Sequence, residues 1–462
     1  MTDVEGAAAP ASPSPPASPP DPAELLRSRS YLVALVFGAL LGVPVSGIAY
    51  FFLKAINDAQ TLVFTTLPRD IGFAGAPVWW PLIPLGACGL IVAASIRYLP
   101  GTGGHRPTAG FAPGGTVAPK DLIGVAVAAF ATLGLGAVLG PEAPLIAIGG
   151  GLSVWAVRLL KRDAPAQAAV VIGAAGSFAA IAAILGSPLV GAFLLMEAAG
   201  LAGPLLGVIL VPGLLAAGVG SLIFVGLYRW TGFGHFTLAI PNIPPFSVPD
   251  GSEFLWAMGI GLGAALVGTV LRRLALLIAP FIERRALLLT PMAGLAIAAC
   301  AIAYAEASGR PPTDVLFSGE TALAPLVQQA ATWSTGALLL LVVFKGLAYG
   351  VSLSGFRGGP TFPAMLIGAA GGIALSRLPG LPMIAAVAMG IGAMTTAVLR
   401  LPLTAVLLAS IIVAHDAASL MPLVIVAVVV SYVATARLGG PKAESPESPD
   451  PPAERAGPPA RA

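Results

Sequence analysis

The residues best suited to chemistry in this sequence form two short Gly-Pro segments, Gly140-Pro141-Glu142-Ala143-Pro144 and Gly359-Pro360-Thr361-Phe362-Pro363. Proline is favoured at the first position of a helix, because the N–H group that it lacks would have no partner there. The remaining N–H groups of a first helical turn are unpaired, and together with the helix dipole they bind anions. The pattern therefore predicts two helix N-termini that hold a small anion through backbone amides, without help from lysine or arginine.

Glu142 is the acidic residue at the start of the first of these predicted helices. A carboxylate at a helix N-terminus is stabilised by the dipole, and it competes for the space that an anion would use. Acidic residues inside membrane segments are rare and usually functional. We expect Glu142 to gate the anion path and to carry a proton; the alternative is that it only caps its helix.

The two Gly-Pro segments belong to an internal repeat. Both read Gly-Pro-x-x-Pro-x-x-x-Ile-Gly, and downstream of them residues 183–189 match residues 397–403 in the same order. Chance recurrence is the alternative in a chain with 57 glycines and 44 prolines. Two matches in one order favour two related halves, and interrupted segments at matching places indicate a transport site between the halves.

These helices must lie in a membrane, because the chain is too poor in charge to cover a water-exposed surface. Of its 462 residues, 57% are hydrophobic and 10% are charged, and the mean hydropathy is +0.91, whereas soluble domains carry about 25% charged residues. A net charge of +3 argues against nucleic acid as a partner. Cys88 and Cys300 lie in apolar stretches, so we expect neither a disulfide nor a metal site, and no cofactor is predicted.

The predicted fold is an all-α integral membrane protein with tilted and broken helices, since several apolar segments are shorter than the about 20 residues that one crossing needs. The first apolar run follows a Pro-rich lead and reads as a retained helix. The composition divides the chain into a disordered Pro/Ala/Ser-rich tail, a first membrane repeat, a connecting loop, a second membrane repeat and a second disordered tail. Their predicted bounds are 1–24, 25–228, 229–252, 253–438 and 439–462.

Several motifs in one order resemble those of the CLC family of chloride channels and proton-coupled chloride antiporters. The segment around Glu142 resembles the family's Gly-(Arg/Lys)-Glu-Gly-Pro, and Gly101-Thr102-Gly103 resembles the start of its Gly-Ser-Gly-Ile-Pro filter. Residues 358–363 resemble the family's Gly-Gly-x-Phe-x-Pro. Residues 400–404 resemble its helix near the C-terminus, and residues 187–197, which include Glu197, resemble its dimer-interface segment.

The resemblance covers roughly residues 30–437 and implies two inverted-topology repeats, a homodimer, and one chloride pore in each subunit. Carried over residue by residue, it makes Glu142 the external gate. The residues that it places at the anion are Gly101, Thr102, Gly103, Ala143, Thr361 and Phe362, the last two through the amides at the start of the second Gly-Pro helix.

The departures from the family pattern put parts of this site in doubt. Gly104-His105 stands where the filter continues Ile-Pro, Pro141 replaces the basic residue before the gating glutamate, and Thr361 replaces a phenylalanine. The family's C-terminal filter tyrosine has no counterpart, because the chain turns polar at Gly439. Ala198 occupies the position of the inner glutamate of proton-coupled members, although another acid or a water chain can serve instead.

Four further residues are weaker candidates. His105, beside the filter motif, either senses pH or is an ordinary loop histidine. Glu197 is either a proton site or, in our preferred interpretation, a packing residue. Lys345 and Arg400 lie in apolar segments and either attract anions to a vestibule or bind the carbonyl groups at helix C-termini.

The function that this sequence predicts is chloride transport through each subunit, either as a voltage-gated-type channel or as a chloride/proton antiporter. The alternatives are another small anion such as fluoride or nitrate, or an organic anion carried by a secondary transporter. An enzyme is not expected, because no nucleophile, base or metal set is evident. The expected partners are chloride, protons, the lipid bilayer and a second copy of the chain, in the plasma membrane of a bacterium.

Overall fold

Helix follows helix from Arg29 to Leu438 in the computed structural model. The structure describes residues 27–110, 117–160, 166–200, 205–233, 238–241, 245–246 and 248–439. The predicted tails, 1–24 and 439–462, lie outside these ranges apart from Gly439, and the predicted loop 229–252 is described in part. The described residues contain no strand beyond one isolated β-bridge, so the all-α prediction is confirmed.

The described α-helices of more than one turn are numbered here in chain order. They are α1 Arg29–Thr61, α2 Leu82–Tyr98, α3 Leu122–Gly134, α4 Glu142–Leu160, α5 Ala166–Ile184, α6 Pro188–Ala198, α7 Leu205–Thr231, α8 Gly251–Arg284, α9 Ala286–Ser308, α10 Glu320–Gln328, α11 Thr335–Gly355, α12 Thr361–Leu375, α13 Met383–Leu399, α14 Pro402–Val413 and α15 Ala417–Leu438. A π-helical turn, Leu62–Thr66, and a last α-turn, Leu67–Asp70, extend α1.

Seven helices of the described chain are long and apolar enough to cross a bilayer: α1 with its extension, α4, α7, α8, α9, α11 and α15. Others, such as α6, α12 and α14, are apolar but have too few residues to span it. Ends of short helices inside a bilayer leave backbone groups without lipid partners, so those groups must face protein, water or a ligand. This mixture of full and partial helices was predicted from the interrupted apolar segments.

The helix neighbours of the two halves are the same. In the first half α4 packs on α5 and α5 on α7, and in the second half α12 packs on α13 and α13 on α15. The short helices α6 and α14 occupy matching places beside α5 and α13. The internal repeat predicted from the sequence is therefore also a repeat in packing.

Paired glycines bring the matching helices of each half together. A side chain on Gly149 of α4 would overlap the Gly176 carbonyl of α5, and a side chain on Gly368 of α12 would overlap the Gly390 carbonyl of α13. Small residues allow membrane helices to approach backbone to backbone, where dispersion contacts hold them. The two half-helices are thus fixed against their supports by the same device.

Two structural details were not predicted in the sequence analysis. The apolar stretch after Leu122 ends as a helix at Gly134, and residues 135–141 are irregular, with Gly136 at a φ of +105°. The short helix α10 was not anticipated, because Glu320–Gln328 has only nine residues and contains Pro325. Both segments border the site described next.

Candidate functional site

The two predicted half-helix starts lie side by side. Gly140 and Gly359 form an antiparallel β-bridge, in which the Gly140 N–H donates to the Gly359 carbonyl over 2.7 Å and the Gly359 N–H donates back over 2.5 Å. These glycines directly precede the Pro residues that open the two segments. The bridge joins the two halves at the point where α4 and α12 begin.

Glu142 reaches from the first half-helix to the start of the second. Its side chain is fully buried, and its Oε1 accepts hydrogen bonds from the backbone N–H groups of Thr361 at 3.0 Å and Phe362 at 3.1 Å. The Oε2 atom has no hydrogen-bond partner among the described residues. The carboxylate therefore occupies the position at the α12 N-terminus where the sequence predicts an anion.

The glycines of the bridge make room for this carboxylate. A Cβ atom on Gly140 or on Gly359 would overlap the Glu142 carboxylate group. On the far side of the contact, the Tyr349 hydroxyl donates a 2.8 Å hydrogen bond to the Pro360 carbonyl. Backbone groups on both sides thus fix the position of the carboxylate. The Glu142 side chain has little freedom to move unless it leaves the site.

Residues adjoining Glu142 in the chain line two different cavities. Pro141 lines a cavity of about 430 Å³, here named the Glu320 cavity, which Glu320 and Gln60 also line. Ala143 lines a cavity of about 670 Å³, here named the Thr102 cavity. Glu142 itself is completely buried and lines neither cavity, although its two neighbours in the chain line one each.

The Thr102 cavity contains a tight turn in an unusual conformation. Gly101, Thr102 and Gly103 have φ values of +78°, +49° and +74°, all in the left-handed region. Threonine is β-branched and avoids that region, at a cost of about 1–3 kcal/mol, so surrounding contacts must hold it. The residue that does so was not identified from the sequence.

Arg357 holds the turn from behind. It is only 7% exposed, and its Nε and Nη2 atoms each donate a 3.3 Å hydrogen bond to the Thr102 carbonyl, while Nη1 donates to the Phe356 carbonyl at 3.2 Å. A charged donor buried next to a strained turn fixes its orientation. The sequence carried one signal for it, a basic residue directly before Gly358-Gly359-Pro360.

Most of the predicted anion contacts meet around Glu142. Gly101, Thr102 and Ala143 line the Thr102 cavity together, and the amides of Thr361 and Phe362 bind the Glu142 carboxylate. These two sets of residues come from different halves of the chain and are brought together by the fold. No tyrosine of the described chain lines either the Thr102 cavity or the Glu320 cavity.

Gly103 is placed differently from the other predicted contacts. It is buried and absent from the lining of the Thr102 cavity, and a Cβ there would press on Ala128, Ile96 and Arg357. Its position favours a role in packing the turn. Its backbone supports the conformation of Thr102 without reaching the space that an anion would enter.

Three of the four weaker candidates lie in different settings. His105 lines the Thr102 cavity, with its Nε2 atom 2.7 Å from the Gly110 carbonyl. Glu197 caps the start of α14, where its carboxylate accepts from the N–H groups of Leu403 at 2.9 Å and Thr404 at 2.7 Å. Arg400 lines a third cavity, described below.

Lys345 binds carbonyl groups, one of the two roles that the sequence left open. The side chain is fully buried, and its Nζ donates to the carbonyls of four successive residues, 314 to 317, at 3.2, 3.0, 2.9 and 3.4 Å. These carbonyls belong to the turn that leads into α10. The ammonium group therefore shapes the segment that carries Glu320.

Glu320 is the second acidic group of the site, and the sequence analysis missed it. It begins α10 and lines the same cavity as Pro141, and its charge and that of Glu142 repel each other. The signal in the sequence was an isolated acid after Ser318-Gly319, in a stretch that looked like a connection between membrane segments. With Glu142 it gives the site two carboxyl groups, whose negative charges disfavour each other.

The chain is similar in sequence to a known protein family and to curated bacterial proteins. A family model described as "Voltage gated chloride channel" matches residues 88–435. The "Putative ion-transport protein YfeO" of Escherichia coli O17:K52:H18 is 27% identical over 414 residues, which cover 88% of this chain and 94% of that protein. The protein of the same description from Escherichia fergusonii is 28% identical over 362 residues, which cover 77% and 82%.

Solved structures share the fold. A slow cyanobacterial Cl⁻/H⁺ antiporter superposes with a TM-score of 0.70 at 20% identity, covering 88% of this chain and 95% of that one. A CLC-type fluoride/proton antiporter superposes with a TM-score of 0.63 at 19% identity, covering 88% and 97%. At these identities the likeness concerns the architecture, including the arrangement of full and partial helices.

Proposed function

The chain belongs to the voltage-gated chloride channel (CLC) family of membrane anion transporters, and from this premise we propose that it carries chloride through a path in each subunit, gated by Glu142. The observation that carries the proposal is the buried Glu142 carboxylate on the amides of Thr361 and Phe362, between the residues that line two cavities. In this position the ionised side chain closes the path and occupies an anion site at once.

Protonation opens the gate in this mechanism. A neutral carboxylic acid loses its attraction to the α12 N-terminus, whereas a chloride ion keeps it. The side chain then leaves, and the anion takes over the Thr361 and Phe362 amides. Because these donors are backbone dipoles rather than full charges, they bind the ion weakly enough for it to leave again.

Each half of the path has its own polar group. On the Thr102 side, the turn at residues 101–103 and its Arg357 support present backbone and hydroxyl groups to an arriving anion. On the other side, Glu320 lies beside Pro141, where it can pass a proton to or from Glu142. Ala198 occupies the position of the missing inner glutamate. A proton route through Glu320 would run on the other side of Glu142 from Ala198.

Fluoride is the second candidate substrate. The filter departs from the CLC pattern at Gly104-His105 and at Thr361, and one of the structurally similar proteins is titled a fluoride/proton antiporter. A homodimer within a lipid bilayer is also part of the proposal, by analogy with the family.

A competition flux assay tests the choice of anion. Proteoliposomes loaded with potassium chloride are diluted into impermeant salt, and chloride efflux is recorded after valinomycin, with fluoride, nitrate or chloride added inside in equal amounts. Chloride transport predicts rapid efflux that nitrate reduces and fluoride leaves almost unchanged. Efflux of fluoride without chloride, measured with a fluoride electrode, would replace chloride by fluoride as the substrate.

A further inference from the structure

A third cavity, of about 470 Å³, lies between α8, α13 and α15 and is lined by two arginines, Arg272 and Arg400. It shares Pro107, Gly110 and Pro360 with the Thr102 cavity, so the two spaces are neighbours. Neither Glu142 nor Glu320 lines it. We name it the arginine cavity, and the transport mechanism above does not use it.

No acid among the described residues balances the charges of the arginine cavity. The Arg272 and Arg400 guanidinium groups repel each other, and the cavity lining contains no aspartate or glutamate. Within the described ranges no salt bridge joins either arginine to an acid. Like charges that share a partly enclosed space favour a bound counter-anion, because the ligand replaces repulsion by attraction.

Arg400 also carries an unused buried donor. Its Nε atom is buried and has no hydrogen-bond partner among the described residues, although such a group usually costs about 1–3 kcal/mol when it is left unpaired. The residue caps α13 in the left-handed region, with a φ of +59°, and its N–H donates to the Thr396 carbonyl at 2.8 Å. Glycine is the usual residue at such a cap, yet this position carries an arginine that lines the cavity.

We propose that the arginine cavity binds a phosphate group through Arg272 and Arg400. The planar guanidinium fork matches the oxygen geometry of a phosphate, which can accept paired hydrogen bonds from both side chains and balance both charges. The hydroxyl-bearing residues Thr108 and Tyr432 complete the polar part of the lining. The phosphate belongs either to the headgroup of an anionic lipid or to a free inorganic ion.

The lipid source fits the position of the cavity in the chain. Arg272 lies beside Arg273 in the C-terminal half of the membrane-spanning helix α8, and long basic side chains on membrane helices reach towards anionic headgroups. Arg273 is engaged elsewhere, because it donates a 2.7 Å hydrogen bond to the Leu438 carbonyl. A bound phosphate would also lie close to Pro107 and Gly110, which line the Thr102 cavity as well.

The test measures binding and therefore does not depend on the proposed transport function. Full-length protein is purified in neutral detergent, and its unfolding temperature is followed against sodium phosphate or sodium chloride at constant ionic strength. In parallel, protein in nanodiscs of phosphatidylcholine with phosphatidylglycerol is released for native mass spectrometry, and retained phosphatidylglycerol is counted. The variants are Arg272→Gln, Arg400→Gln and, as a control on the same helix outside the cavity, Arg284→Gln.

Saturable stabilisation by phosphate supports a free-phosphate site if the affinity falls about tenfold or more in both cavity variants but not in Arg284→Gln. The fall is expected because each cavity variant loses charge-assisted hydrogen bonds. Retained phosphatidylglycerol with the same dependence, and no response to free phosphate, supports the lipid source. Arg400→Lys, which keeps the charge and loses the fork, is expected to bind at an intermediate level and reports on folding. Equal binding in all variants, no binding to wild type, or equal stabilisation by chloride and phosphate overturns the proposal.

Discussion

The carboxylate of Glu142 accepts a 3.0 Å hydrogen bond from the backbone N–H of Thr361, the first residue of the matching half-helix in the other repeat. The first repeat thus provides the acid, and the second repeat provides the amides that bind it. The bridge between Gly140 and Gly359 fixes this relationship at the junction. The predictions below test the parts of this arrangement one at a time.

The fit of the carboxylate against glycine predicts that Gly359→Ala opens the gate. The added methyl group would overlap the Glu142 carboxylate, and a flexible side chain is displaced more easily than backbone. We expect anion efflux from proteoliposomes to become independent of pH. Gly371→Ala is the matched control, because this glycine of the same helix has nothing within 4 Å of its Cβ position and its replacement should leave the flux unchanged.

The support of the Thr102 turn predicts that Arg357→Gln lowers anion flux about tenfold, because the turn loses two hydrogen bonds from a charged donor. Initial rates of chloride efflux measure the effect. Arg106→Gln provides the comparison, since Arg106 makes an exposed salt bridge with Glu283 and should cost less than about 1 kcal/mol of stability. Equal rates for Arg357→Gln and wild type would remove Arg357 from the site.

The repulsion between Glu320 and Glu142 predicts a pH shift in Glu320→Gln. Without the neighbouring negative charge, Glu142 keeps its own charge down to a lower pH, and the ionised form closes the path. The pH of half-maximal anion flux should therefore move to a lower value. Thr321→Val alters a neighbour in the same cavity without changing the charge, and a similar shift in that variant would argue against electrostatic coupling.

The four carbonyl contacts of Lys345 predict a large loss of stability in Lys345→Met. The methionine fills much of the space but leaves the carbonyls of residues 314–317 without their donor, at a cost of about 3 kcal/mol or more. Thermal unfolding in detergent should show a clearly lower midpoint. Lys54→Met, at a partly exposed lysine paired with Asp58, should change the midpoint little.

Much of the fold could be predicted from sequence because the glycine and proline residues that define the repeat determine the local backbone conformation. Gly-Pro marks the start of a half-helix through the chemistry of proline itself, so Glu142 and Thr361 could be located without knowing what they contact. The direction of the Glu142 side chain towards the other repeat could not be predicted, since it depends on the bridge between Gly140 and Gly359.

The residues that were missed depend on contacts distant in the chain. Arg357 supports Thr102 across 255 positions of sequence, and no local pattern marks that pairing. Glu320 looked like part of a connection, because α10 is only nine residues long and contains Pro325. Conversely, Gly103 matches a filter motif but lies against the side chains of Ile96, Ala128 and Arg357. Three successive left-handed residues turn the backbone sharply, so neighbouring residues of the motif point in different directions.

The most direct test of Glu142 as a protonatable gate records chloride efflux and external pH together, for proteoliposomes of wild type and of Glu142→Ala. The account predicts that a chloride gradient drives protons uphill in wild type, and that the variant keeps chloride flux while proton movement stops. Proton coupling that survives in Glu142→Ala, or chloride flux that disappears with the side chain, would contradict it.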